Sequence, residues 1–211
     1  MYYRFSNRKS DESKEHKLYS FVDEIYKENG IGFVRNNDVN LQKHGVDGFA
    51  KFDNCTNILF VDEKAAIKYW NRDLPTFSFE IFSNRMIQGE LLTVDGWFNN
   101  DNKYVKTTHY SIIWVRSDDS DLNKINSIEV CIVSKEDLWR YISCFGINNS
   151  KELFDLVKNE PVNFGIARKE ITDTIRVVWS KNIIPEKPVC VTIRKDVLIN
   201  LSVFHTKKIY N

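Results

Sequence analysis

Four consecutive apolar residues, Ile58-Leu59-Phe60-Val61, run straight into three charged ones, Asp62-Glu63-Lys64. No other part of the chain restricts its fold so tightly. Strand side chains alternate between faces, so a strand apolar at every position is covered on both sides. The run therefore predicts a buried strand over Asn57–Lys64, with cover on both faces. The same alternation puts Asp62 and Lys64 on one face at its end and Glu63 on the other.

The neighbouring sequence supplies the frame. Leu18, Phe21, Val22, Ile25 and Tyr26 recur at helical spacing and predict an amphipathic helix over Asp11–Asn29. Ser10 or Asp11 suits its start and Gly30 its end. Ile31–Arg35 reads as a short strand, Asn36–Gly45 as a polar loop and Val46–Phe52 as a strand. Asp53-Asn54 can then turn the chain into a hairpin. Thr76–Phe82, Leu91–Phe98, Tyr110–Val115 and Ile128–Val133 read as further strands. Ser134-Lys135-Glu136-Asp137 resembles a capping box that opens a helix to about Cys144, and Lys151–Lys158 is a second short helix. Ile175–Trp179 and Val189–Ile193 are late strands. The order predicts an α/β (α+β) chain with one central sheet flanked by helices. At 211 residues and 24.9 kDa it is read as a single domain, 1–211.

Composition narrows the function. Thirty Lys and Arg against 29 Asp and Glu leave a net charge of +1, which argues against histones and polybasic membrane binders. No apolar stretch reaches the length of a signal peptide or a membrane span, so a soluble, cytoplasmic protein is expected. Cys55, Cys131, Cys144 and Cys190 contain no C-x-x-C pair and are expected to be reduced and mostly buried. His16, His44, His109 and His205 lack ligand spacing, which argues against a histidine-metal nuclease. Neither phosphate-binding glycine loop is present, so no nucleotide cofactor is expected.

Chemistry is left to the carboxylates. Asp47 opens the strand before Asp62, and the hairpin can bring the two together. Two carboxylates and a lysine converging at a sheet end can hold Mg²⁺, which favours hard oxygen ligands. Such a metal acidifies a bound water and offsets charge on a phosphodiester under attack, while the lysine positions that water or stabilises the phosphate. Acidic-x-Lys alone carries little weight, because it also starts at Glu12, Glu15 and Asp101. Only Asp62 closes an apolar run with an Asp at hairpin distance before it. The bland alternative is an exposed strand end carrying a surface ion pair.

Val46-Asp47-Gly48 followed by Asp62-Glu63-Lys64 after an apolar strand resembles the PD-(D/E)xK nuclease superfamily, over roughly residues 11–64. The resemblance implies a restriction-endonuclease-like fold and Mg²⁺-dependent hydrolysis of DNA, with Mn²⁺ as a substitute. It implies Asp47 and Asp62 as catalytic metal ligands, the backbone carbonyl of Glu63 as another, and Lys64 as the catalytic lysine. Many members add an acidic residue from the first helix, here Glu15, which lies at the edge of the apolar stripe, while Glu24 points away. No Pro precedes Asp47, and more strands follow Lys64 than in simpler members.

Partners follow from charge. From Asn163 to Asn211 there are nine basic residues and four acidic ones, a local excess of +5. Arg168, Lys169, Arg194 and Lys195 are candidates for phosphate contacts, as is Lys43 beside the site; scattered solvated charge is the plain alternative. Trp97 and Tyr104 could stack on bases. Duplex DNA is the expected substrate, and cutting both strands favours a homodimer. A non-catalytic nucleic-acid- or protein-binding module on the same scaffold, or an enzyme acting on RNA, are the other readings.

Overall fold

A computed structural model describes residues 8–53, 55–87, 90–99, 105–181 and 186–210, with the side chains of 8–13 and 85–91 outside the description. In chain order the elements are α1 (Arg8–Glu28), β1 (Ile31–Arg35), α2 (Val39–Lys43), β2 (Gly48–Phe52), β3 (Leu59–Ala65), β4 (Thr76–Ile87), β5 (Glu90–Asp95), β6 (His109–Ser117) and β7 (Ile125–Ser134). There follow α3 (Lys135–Ser143), α4 (Ser150–Val157), β8 (Val162–Asn163), β9 (Ile166–Glu170), β10 (Ile175–Trp179), β11 (Val189–Arg194), α5 (Lys195–Leu201) and β12 (Ser202–Ile209). One turn of 3-10 helix lies at Ile67–Tyr69. The chain is a mixed α and β fold, and its strands form two six-stranded sheets rather than one.

These sheets belong to two compact units, and the division between the units falls within α3 and α5. The first unit takes the described residues through Pro75, then Lys106–Asp137, then those from Leu198 onward. Its sheet runs β1-β2-β3-β6-β7-β12. It is a mixed sheet: β3 and β6 are parallel and every other pair is antiparallel. Leu18, Val22, Ile25 and Tyr26, each at most 1% exposed, lay the apolar stripe of α1 against Ala50, Val61, Ile113 and Val130. The helix starts three residues before the expected Asp11. It ends where Gly30 takes φ +69°, and a side chain there would press on Asp53.

The polar segment 36–45 is not all loop. Asp38 accepts hydrogen bonds from the amides of Asn40 and Leu41 and caps the short helix α2. Two such bonds at one cap suffice for a single turn of helix that has no apolar stripe.

The second unit takes the described residues of Thr76–Val105 and Leu138–Val197. Its sheet, β5-β4-β11-β10-β9-β8, is antiparallel throughout. Phe79, Ile81, Val177, Val191 and Ile193 are fully buried from the sheet, and Leu138, Ile142, Leu153 and Val157 from the helices. Phe98 stacks on Trp139 with ring centroids 4.9 Å apart. The two-residue loop Phe164-Gly165 joins β8 to β9 with both residues at positive φ, +50° and +82°. That is the geometry of a type I′ hairpin turn.

Cys131 is buried and Cys190 half-buried, but Cys55 and Cys144 are exposed, so the expectation of mostly buried thiols fails for two of the four. All four are free thiols. No described helix is long and apolar enough to cross a membrane.

Candidate active site

The hairpin of β2 and β3 builds the site in the first unit. Gly48 pairs with Val61, Phe49 with Phe60 and Ala50 with Leu59. Asp47 lies one residue before β2, with its amide donating to the Val61 carbonyl (2.8 Å) and its carbonyl accepting from the Asn36 amide (2.8 Å). Its carboxylate accepts a hydrogen bond from the Glu63 amide at 3.0 Å. Backbone at both strands thus fixes the Asp47 side chain beside residues 61–63.

Asp62 follows Val61 onto the opposite face of β3, and its side chain is 1% exposed. One carboxylate oxygen, Oδ1, is bonded to the Lys64 ammonium. The other, Oδ2, is buried and receives no hydrogen bond from a donor among the described residues. An unpaired buried carboxylate oxygen is costly and stands out in a folded chain. Burial pushes the Asp62 carboxyl well above its usual range; Lys64 opposes the shift, and Asp47 adds to it through its charge and through a carboxyl–carboxyl hydrogen bond made by the protonated form. Burial alone would lower the Lys64 ammonium, but Asp62 and Asp47 outweigh it and keep it protonated. Lys135, at the start of α3, also feels Asp62; burial lowers its ammonium and Asp62 partly restores it.

Glu63 faces a different environment. Its carboxylate accepts from Arg35 Nη1 at 2.6 Å and from the Tyr26 hydroxyl at 3.1 Å, and Tyr26 lies 2.6 Å from Ser111 Oγ. Arg35 also grips both carboxylate oxygens of Asp23, at 3.1 and 2.7 Å, and its guanidinium stacks 3.7 Å from the centre of the Tyr19 ring. With its side chain so engaged, Glu63 offers Asp47 its backbone.

A polar cavity of about 150 Å³ opens at this point, lined by Glu15, Tyr19, Asp47, Glu63, Lys64 and Ala65 among others. Tyr19 is pushed up to about 12 by burial and then by the negative charges of Glu15, Asp47 and Glu63. Glu15 therefore lies at the same cavity as Asp47 and Lys64. Glu24 instead binds Lys208 at 3.2 Å on the surface. Among the described residues, no group of three or more His, Cys, Asp or Glu is placed to hold a metal ion.

The candidate phosphate contacts divide between the units. Lys43 is exposed on α2 in the first. Arg168 and Lys169 on β9, Arg194 at the end of β11 and Lys195 at the start of α5 belong to the second. Lys169 pairs with Glu160 (2.8 Å), and Arg194 with Asp196 (2.5 Å) and Asp173 (3.8 Å), so part of the local positive charge is compensated. Trp97 packs 5.5 Å from Phe79 as a core-edge aromatic, and Tyr104 lies outside the described residues.

Sequence reading missed Arg35, Asp23, Tyr19, Tyr26 and Ser111 as neighbours of the site. The one available signal was an Arg ending a short apolar strand just ahead of the hairpin. No family model, curated protein or solved structure matches this chain.

Proposed function

We propose that this chain is a divalent-cation-dependent endonuclease that hydrolyses DNA phosphodiester bonds, a nuclease of the PD-(D/E)xK type with a restriction-endonuclease-like fold. One observation carries the reading. Asp62 is buried with one carboxylate oxygen that no donor among the described residues reaches, in contact with a second carboxylate from the neighbouring strand and with Lys64. Two adjacent carboxylates call for positive charge beyond one ammonium, and a hard cation with retained waters fits two oxygens from separate side chains.

Asp47 and Asp62 would hold Mg²⁺, or Mn²⁺ in its place, with the Glu63 carbonyl and Glu15 completing the set directly or through water. When bound, the cation supplies an acidified water and offsets charge on the phosphate. Lys64, held protonated by Asp62 and Asp47, donates hydrogen bonds to a phosphate oxygen or orients the attacking water. The Arg35–Glu63 pair holds the peptide that carries the amide bound by Asp47. A homodimer would supply the two sites needed for both strands.

The test is cleavage of supercoiled and linear duplex DNA in Mg²⁺ or Mn²⁺, with EDTA as control and Asp62→Ala and Lys64→Ala alongside. Metal-dependent cutting lost in both variants establishes site and activity together; discrete fragments would indicate restriction-type specificity. The Glu63 carboxylate is held by Arg35 and Tyr26 rather than turned to a cation, which favours a second reading, a non-catalytic binding module on a nuclease-like scaffold. Calorimetry separates the two readings, since only the enzyme takes up Mn²⁺ through Asp47 and Asp62.

A further inference from the structure

The tip of the β8–β9 hairpin carries a residue that neither folding nor packing explains. A type I′ turn needs positive φ at both central positions, so Asn-Gly or Gly-Gly is the usual occupant. Here the first position is Phe164, at φ +50°. A bulky side chain there strains the backbone. The ring gains nothing in return from the fold, because Phe164 is 101% exposed. Val162, two residues earlier, is 41% exposed and extends the apolar tip.

The same hairpin carries Arg168 and Lys169 against Glu170, a net charge of +1, and Lys169 is paired with Glu160. Arg168 is exposed on β9 and, among the described residues, forms no ion pair. It lies across from Val178 on β10, two positions from the pairing of Arg176 with Glu170, so Arg168 and Arg176 share one face of the sheet. Arg176 is 4.0 Å from Glu170, at the limit of an ion pair. An exposed aromatic ring ahead of arginines matches an elongated anion with flat hydrophobic faces. Nucleic acid is the macromolecule of that chemistry: phosphates for the arginines and base faces for the ring.

We propose that Phe164 is a nucleic-acid-binding finger, its ring stacking on or wedging between bases while Arg168 holds the adjoining backbone. This rests on the reading of the chain as acting on nucleic acid. The strain at Phe164 is then retained for binding.

The test is binding by the full chain in EDTA, which separates recognition from cleavage. Affinity is read by anisotropy of a fluorescein-labelled duplex and of its single strand. Base unstacking is read with a fluorescent purine analogue in the same sequences. Phe164→Asn, which suits the turn, should melt no lower than wild type yet bind about ten-fold more weakly and lose the unstacking signal. Arg168→Ala should weaken binding to all sequences alike and lower the salt slope by about one. Wild-type binding that Phe164→Asn leaves intact overturns the finger but leaves the nuclease reading standing. A wild type that neither binds nor cuts overturns both. A change in oligomeric state by light scattering, with DNA affinity unchanged, would assign the ring to a second copy of the chain and also overturn the proposal.

Discussion

Asp62 shows what a single residue contributes when its place in the fold opposes its chemistry. A carboxylate 1% exposed, touching another carboxylate and with one oxygen that no donor among the described residues reaches, opposes folding more than it supports it. Lys64 retains 27% exposure and the charge of Asp47, so it is not stranded if Asp62 loses its charge. Asp62→Asn is therefore expected to melt at or above the wild-type temperature in EDTA. Mg²⁺ at a hundred times its Kd should stabilise wild type by about 2.7 kcal/mol and the variant hardly at all. Calorimetric melting with and without the ion checks both halves. The thiols give a second prediction. Burial, then the charge of Glu80, pushes the Cys190 thiol well up, and Cys131 is buried, whereas Cys55 and Cys144 are exposed. A chromogenic disulfide reagent should label two thiols quickly and two only on unfolding. Asp62 and Lys64 were legible in the sequence because they close an apolar run, where charge is conspicuous. Arg35 was not, since its partners Asp23 and Glu63 stand 12 and 28 residues away and nothing local marks them.

Between elements, the pair of Arg35 and Glu63 joins β1 to β3 under α1. Glu63 is 5% exposed and Arg35 26%, so Arg35→Met would leave a buried carboxylate with Tyr26 as its one remaining side-chain donor among the described residues. Losing one partner of a buried pair costs about 3–5 kcal/mol. Arg35→Met is expected to fall in that range by urea denaturation. Arg35→Met with Glu63→Gln should recover part of the loss, and a double-mutant cycle measures the coupling. Sequence periodicity located α1, β1 and the β2–β3 hairpin to within a few residues because each has an apolar face that fits its geometry. β12 escaped it for a physical reason: Phe204, Thr206 and Lys208 lie on its half-buried face while Val203 and Ile209 are 50% and 70% exposed. An edge strand with that pattern has no hydrophobic period to detect. The strands β8 and β9 were too short and too polar, and α2 rests on its Asp38 cap alone.

At the scale of the whole molecule, the sheets are defined by pairings that skip long stretches of chain. β3 pairs in parallel with β6 across β4 and β5, and β7 waits for β12 at the far end of the sequence. No local pattern encodes such pairings, which is why one central sheet was expected where two exist. A chain stopped before Leu198 would lack β12 and leave the long, apolar β7 as a bare edge. Such an edge recruits further copies, so the fragment ending at Val197 is expected to be insoluble or aggregated, as gel filtration would show, while the full chain elutes as a defined species. Long-range pairing of this kind also slows folding.

The polypeptide passes from one unit to the other between Pro75 and Thr76, Val105 and Lys106, Asp137 and Leu138, and Val197 and Leu198. Neither unit is a contiguous stretch of the gene. No single crossover in recombination could deliver one of them intact to another protein, and no single deletion could remove one cleanly. Heredity must treat the two sheets as one indivisible trait, with variation entering through point changes and loop insertions rather than through exchange of modules.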